Sequence, residues 1–146
     1  MTLSKAELIA LAQQKAEKYG LEAALVCAIV EQESQWNTWA TRYEPAFYER
    51  YVVPLNESRS ESAARATSWG LMQCMGQVAR ERGFGGPYLS ELCDPDIGLD
   101  MGCKHFAAML AAVGGTDIHA ALQRWNGGGN PDYAGQVLAR VATYAA

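Results

Sequence analysis

The chain has 146 residues, a length that suits a single domain burying about two-thirds of its unfolded surface without staples. With 49% hydrophobic and 19% charged residues it is composed like an ordinary globular protein, and no stretch is long and apolar enough for a membrane-spanning helix. A formal net charge of -4 supplies none of the clustered basic surface that displaces counterions from a duplex, so nucleic acid is not the expected partner.

The opening MTLSKAELIALAQQ lacks the continuous apolar run and small-residue cleavage site of a signal peptide and reads as the start of a helix. Ser4 and Glu7 form a capping-box pattern, and Leu8, Leu11, Ala12 and Ala16 come after them at helical spacing, so this helix is predicted to run to about Tyr19. A second helix is predicted from Glu22 to about Gln35, with Val26, Ile29 and Val30 on its core side. Aromatic residues crowd positions 36–51, and a short helix is expected after Pro45. Residues 52–64 show no apolar period and read as an exposed, mobile insertion.

Ser68 is expected to cap a helix running through Gly70 to about Arg82. Asp94-Pro95 signals the start of a central long helix, with Leu99, Gly102, Cys103, Phe106, Met109 and Val113 on one face and Gly114-Gly115 at its end. Thr116 is expected to cap a helix carrying Ile118, Ala121, Leu122 and Trp125; after Gly127, Gly128 and Gly129, Asn130-Pro131 opens the last helix. No segment alternates as a strand should, so the fold class is all-α, in one domain spanning residues 1–146.

Cys27, Cys74, Cys93 and Cys103 include no CxxC pair and have no His at zinc-ligand spacing, so no metal site is expected. Three of them fall in apolar helical patterns and suit buried thiols; the alternative is a disulfide, with Cys93 and Cys103 as the first pair to test.

Counting from Val26 through Ile29 and Val30 in helical steps lands on Glu33, so a carboxyl continues an apolar stripe. Desolvation there disfavours the charged form and raises the pKa, which is what a general acid working near neutral pH requires. Periodicity alone leaves open that Glu33 merely ends the helix at the surface. Glu31 points off the stripe and reads as a solvated charge.

Beyond periodicity, Glu33-Ser34-Gln35-Trp36-Asn37 resembles the catalytic Glu-Ser motif of the soluble lytic transglycosylases, within the goose-type lysozyme superfamily. Ser68-Trp69-Gly70-Leu71-Met72-Gln73 is similar to that family's Gly-Leu-Met-Gln block, Asp94-Pro95 with Gly102 to its third block, and Trp125-Asn126-Gly127-Gly128 to its Tyr-Asn-Ala-Gly block. Four blocks in the family's order cover about residues 22–141, far more than a single motif would carry. Arg42-Tyr43-Glu44-Pro45 also resembles phage-associated muramidases of the superfamily.

The resemblance implies a lysozyme-like helical domain with a groove for peptidoglycan glycan strands, no cofactor, and Glu33 as acid and then base. In that family the substrate's own hydroxymethyl oxygen attacks the ring carbon and leaves 1,6-anhydro-muramyl ends, so a second carboxylate is dispensable. Glu44 lies near the groove by the same resemblance and could orient water for simple hydrolysis, or it could pair with Arg42 or Arg50. The resemblance places Gln73 and Met72 against the sugar and Trp69 in a stacking position.

Ser34 bonds either backbone or substrate, and Asn126 suits an N-acetyl contact. Trp125 departs from the family's Tyr, since an indole donates but cannot accept. Tyr133 either supplies the missing phenol or packs with Val137 and Val141. His105 and His119 have no ligand-spaced partner and read as structural or surface groups.

A monomer acting on the bacterial wall is expected, exported by a route other than a leader, as phage-encoded proteins can be, or after loss of a leader. A hydrolytic muramidase on the same fold is the alternative within enzymes. A non-catalytic wall-binding piece of a phage tail or injection machine is the alternative outside them.

Overall fold

In a computed structural model, which describes residues 2–145, helix α1 (Lys5–Lys18) begins where the capping box places it. Ser4 Oγ accepts from the Glu7 N–H at 3.2 Å, and Glu7 Oε2 accepts from the Ser4 N–H at 2.7 Å. Its Leu8, Ala12 and Ala16 are buried and allow close approach of α2 (Ala23–Ser34). Every residue from Ala24 to Val30 is buried, so α2 is enclosed on all sides rather than along one stripe. Helix α8 (Tyr133–Val141) covers its other flank.

One apolar core joins α1, α2 and α8 to α6 (Pro95–Ala112) and α7 (Ile118–Asn126), with Leu25, Ile29, Leu99, Phe106 and Leu122 fully buried. Side chains of this kind each contribute about 1.5–3 kcal/mol on burial, so the apolar middle of α2 can carry a carboxyl at its end. The Asp94 side chain caps α6 by accepting from the Asp96 and Ile97 amides. Gly102 is required by contact: a Cβ there would lie 2.5 Å from Met72 Sδ.

Three expectations need correction in the stretch between α2 and α6. A small antiparallel sheet is present, ordered β1 (Thr41–Tyr43), β2 (Thr67–Trp69), β3 (Cys74–Met75), with Thr41 opposite Trp69 and Ser68 opposite Met75. Residues 68–75 are therefore a hairpin, and helix α5 (Gly76–Glu81) starts only at Gly76. Gly70 (φ +70°) and Gln73 (φ +52°) turn the chain, and the Gly70 N–H donates to the Ala40 carbonyl at 2.7 Å, a tertiary bond that outweighs local helix preference.

Residues 52–64 are not an unstructured insertion. Helix α3 (Pro45–Phe47) runs into a π-helical turn (Tyr48–Val52), a 3-10 turn (Val53–Leu55) and α4 (Arg59–Arg65). Ser58 caps α4, Val52 and Ser62 are buried, and Glu61 binds both Arg65 and Arg80, at 2.9 and 2.8 Å.

Elsewhere the departures are smaller. Asp117, not Thr116, caps α7, accepting from the Ala120 N–H at 3.0 Å. Helix α8 begins at Tyr133, later than Asn130-Pro131 suggested, because Asn130 Oδ1 first accepts from the Asp132 N–H in a turn. Glu31 is not a free surface charge: Arg140 and the Tyr144 hydroxyl hold it and tie α2 to the end of the chain. All four cysteines are buried free thiols, so Cys93 and Cys103 are not bridged. Burial pushes the Cys103 thiol up to about 12, which leaves it unreactive at neutral pH. Among the described residues no helix is long and apolar enough to cross a membrane.

Candidate active site

The last turn of α2 ends abruptly at two left-handed residues, Gln35 (φ +51°) and Trp36 (φ +64°). Trp36 is buried and its indole N–H donates to the Tyr144 hydroxyl at 2.9 Å, which holds this costly backbone in place. Ser34 Oγ lies 2.8 Å from the Leu71 carbonyl and 3.1 Å from the Val30 carbonyl, so its hydroxyl binds backbone and fastens the β2–β3 hairpin to α2.

Glu33 is thereby delivered into a cleft of about 1000 Å³. The helical wall is supplied by α2, α6, α7 and α8, the opposite wall by β1, the β2–β3 hairpin and α5. Glu33 Oε1 accepts from the Tyr133 hydroxyl at 2.9 Å and from the Trp125 indole N–H at 3.3 Å. Oε2 has no partner among the described residues. Desolvation raises the Glu33 pKa above the ordinary glutamate value; the donated bonds from Tyr133 and Trp125, and the nearby Arg42 charge, act in the opposite direction. The Tyr133 phenol is itself pushed upward by burial and then by the Glu33 charge, so it remains a donor.

Glu44 also lines the cleft, paired with Arg42 at 2.9 Å, so the groove position and the ion pair expected from sequence occur together. Gln73 lines the opposite wall, and its Nε2 donates to the Ala40 and Gly70 carbonyls at 2.8 and 2.9 Å. Both amide hydrogens are committed, which leaves Oε1 as its free acceptor. Asn126 closes α7 at the cleft edge; with its amide oriented to suit its neighbours, Oδ1 accepts from the Gly129 and Asn130 amides at 3.2 and 2.9 Å.

Six of the nine residues singled out from sequence, Glu33, Glu44, Gln73, Trp125, Asn126 and Tyr133, thus converge on one cleft. Ser34, Trp69 and Met72 do not line it. Met72 is buried against Gly102 with its Sδ 4.0 Å from Cys103 Sγ, and Trp69 donates its indole N–H to the Ala64 carbonyl at 3.0 Å on the small second core. Their motif positions belong to the hairpin's framework.

Among the cleft residues that escape sequence reasoning are Arg42 and His105. Arg42 enters there as a partner for Glu44 and as part of the muramidase-like Arg42-Tyr43-Glu44-Pro45 segment, with no site role of its own, and His105 as a structural or surface group. A signal for His105 exists: it precedes Met109 by one helical turn, and both face the cleft. Among the described residues no group of three or more His, Cys, Asp or Glu side chains is placed to hold a metal ion.

Comparison with curated proteins and with solved structures returns no match. The family model of the transglycosylase SLT domain matches residues 10–137, which takes in both walls of the cleft and the Glu33, Gln73 and Trp125 positions. The chain therefore belongs to the transglycosylase SLT domain family, part of the lysozyme-like lytic transglycosylase superfamily, whose activity is directed at cell-wall peptidoglycan.

Proposed function

We propose that the protein cleaves the β-1,4 bond between N-acetylmuramic acid and N-acetylglucosamine as a lytic transglycosylase, with Glu33 as its single acid and base. One observation carries this reading: both protein donors converge on Glu33 Oε1, while Oε2 is left without a partner in the cleft. With Oε1 saturated, the neutral carboxyl carries its proton on Oε2 and can donate it to the glycosidic oxygen.

The carbon–oxygen bond then breaks, and the N-acetylglucosamine product leaves with a new hydroxyl. The muramyl C6 hydroxyl bonds to C1, and its proton returns to Oε2, so the carboxyl ends as it began. Developing carboxylate charge is met by the Tyr133 and Trp125 donors already in place, which need no reorganisation during the step. Gln73 Oε1 and the Asn126 edge of the cleft supply neutral polar contacts suited to hydroxyl and acetamido groups.

Glu44 favours a second reading, hydrolysis, because it puts another carboxylate in the same cleft. Its pairing with Arg42 weighs against a base poised to activate water. Mass spectrometry of digested peptidoglycan separates the two. Anhydro-muramyl ends are expected; reducing muramyl ends in their place would assign the chain to the hydrolases.

A further inference from the structure

His105 sits on α6 in the wall of the cleft that Glu33 also lines, beside Trp125, and takes no part in the proton transfers of Glu33. Its Nδ1 accepts the Arg82 Nε–H at 3.1 Å. A guanidinium can only donate, so Nδ1 must hold a lone pair and the ring proton must sit on Nε2. Burial, followed by the Arg82 charge, holds the imidazole down at about 4, so at neutral pH the ring is uncharged and has a fixed tautomer.

Nε2 makes no hydrogen bond to the protein, and no side-chain polar atom among the described residues is sealed away without a partner. The Nε2–H is therefore open to whatever enters the cleft. The same ring lies 5.3 Å from the Trp125 indole, centroid to centroid, and Phe106 meets that indole edge-on at 5.8 Å. Trp125 is thus held between two α6 side chains while its N–H reaches Glu33.

We propose that His105 is a substrate-recognition residue, presenting a single N–H donor to an acceptor oxygen, acetamido carbonyl or hydroxyl, of the sugar bound beside Trp125 and Glu33. An Arg-locked imidazole suits this better than a free one. It presents a donor only and stays neutral through the pH range in which an ordinary histidine would gain charge. It adds no further cation to the Arg42 charge that already acts on Glu33. Arg82 is the positioning residue: its carbonyl accepts from Lys104 Nζ at 2.7 Å, one residue before His105, so α5 and α6 are joined at this point.

The inference rests on the cleft being the glycan site, and binding can test it without turnover. In the full-length Glu33→Gln background, peptide-free glycan strands of peptidoglycan are titrated calorimetrically into protein carrying His105, His105→Phe or His105→Gln. Phe keeps the ring against Trp125 but lacks the donor, and is expected to weaken binding about 3- to 10-fold, the range for one neutral hydrogen bond. Gln restores a donor and most of the affinity. Repeating the titration with N-deacetylated strands identifies the acceptor: the Phe penalty disappears if it is the acetamido carbonyl and persists if it is a hydroxyl.

Nitrogen-15 spectra should show the Nε2–H tautomer at neutral pH, and Arg82→Gln should release it to a mixture. Equal affinity of all three proteins, or an Nδ1–H tautomer, overturns the proposal while leaving the cleft assignment intact. Absence of glycan binding even with His105 present would overturn the cleft assignment and this proposal together.

Discussion

The helical wall of the cleft rests on a core that runs from Leu8 on α1 to Val137 on α8, whereas the opposite wall rests on Cys74, Ala79, Leu89, Leu92 and Met101 and on polar ties. Glu33 and its two donors belong to the first wall. Gln73, Glu44 and Arg42 belong to the second, where Glu61 bridges Arg65 and Arg80 and the Trp69 indole holds the Ala64 carbonyl. Glu33 is thus set in close-packed apolar structure, which tolerates little misplacement. The opposite wall is held by bonds that can open locally.

Four substitutions probe this contrast. Glu33→Gln should lower kcat/KM by about 10²- to 10⁴-fold, the range for losing a general acid, and turbidity loss of wall suspensions would measure it. It should also raise the melting temperature at neutral pH. Because burial raises the Glu33 pKa, its contribution is full below the unfolded value of 4.5 and is lost as pH rises through the folded value. The amide avoids that loss.

Phe106→Ala, in the large core, should cost about 3–5 kcal/mol in denaturant unfolding and loosen Trp125 as well. Tyr133→Phe removes one donor from Glu33 and should reduce kcat/KM by about 10-fold, on the scale of one hydrogen bond to a charged group. The limb of the pH–rate profile that reports Glu33 should also move to higher pH, since the lost bond lowered that pKa.

Glu61→Gln should have the smallest effect, about 1 kcal/mol of global stability, because its ion pairs are partly solvated. Hydrogen exchange should nevertheless quicken in residues 57–86 and leave α1, α2 and α6 unchanged. Arg80 holds the Glu61 carboxyl below its usual range, so this stability is present above the unfolded value of 4.5 and is lost as pH falls through the depressed folded one. Acid should therefore loosen the Glu61 ties of the second wall. Uniform exchange across both walls would remove the contrast.

The same division separates what is legible in the sequence. The helices of the large core announce themselves: Ser4 and Asp94 cap where their side chains suggest, and counting from Val26 to Glu33 leads to the cleft. In the 36–86 stretch the decisive contacts are tertiary. Gly70 is pressed so close to Leu92 that a Cβ would lie 2.6 Å from its carbonyl oxygen, and Gln73 turns left-handed to put its amide on Ala40 and Gly70. Helix preference cannot register a neighbour so far along the chain, so the hairpin reads as a helix. Ser58 and Glu61 do carry a readable cap for α4, hidden by the polar composition around them.

Tyr133 and Met72 show the limit of motif positions. The family's phenol, absent where Trp125 stands, is supplied by Tyr133, one of the two readings the sequence left open, and the Met of the Gly-Leu-Met-Gln block turns into the core. His105 needs the Arg82 contact to become visible as a donor.

Glu33 precedes Trp125 by 92 residues and Tyr133 by 100. At about 5–20 residues per second of synthesis, a nascent chain carries this glutamate for roughly 5–20 s before its phenol partner is even polymerised. For that interval it is an ordinary, hydrated carboxylate with an ordinary affinity for protons. Its burial is completed when α8 docks on α2, so the order of translation withholds its raised proton affinity until those helices meet.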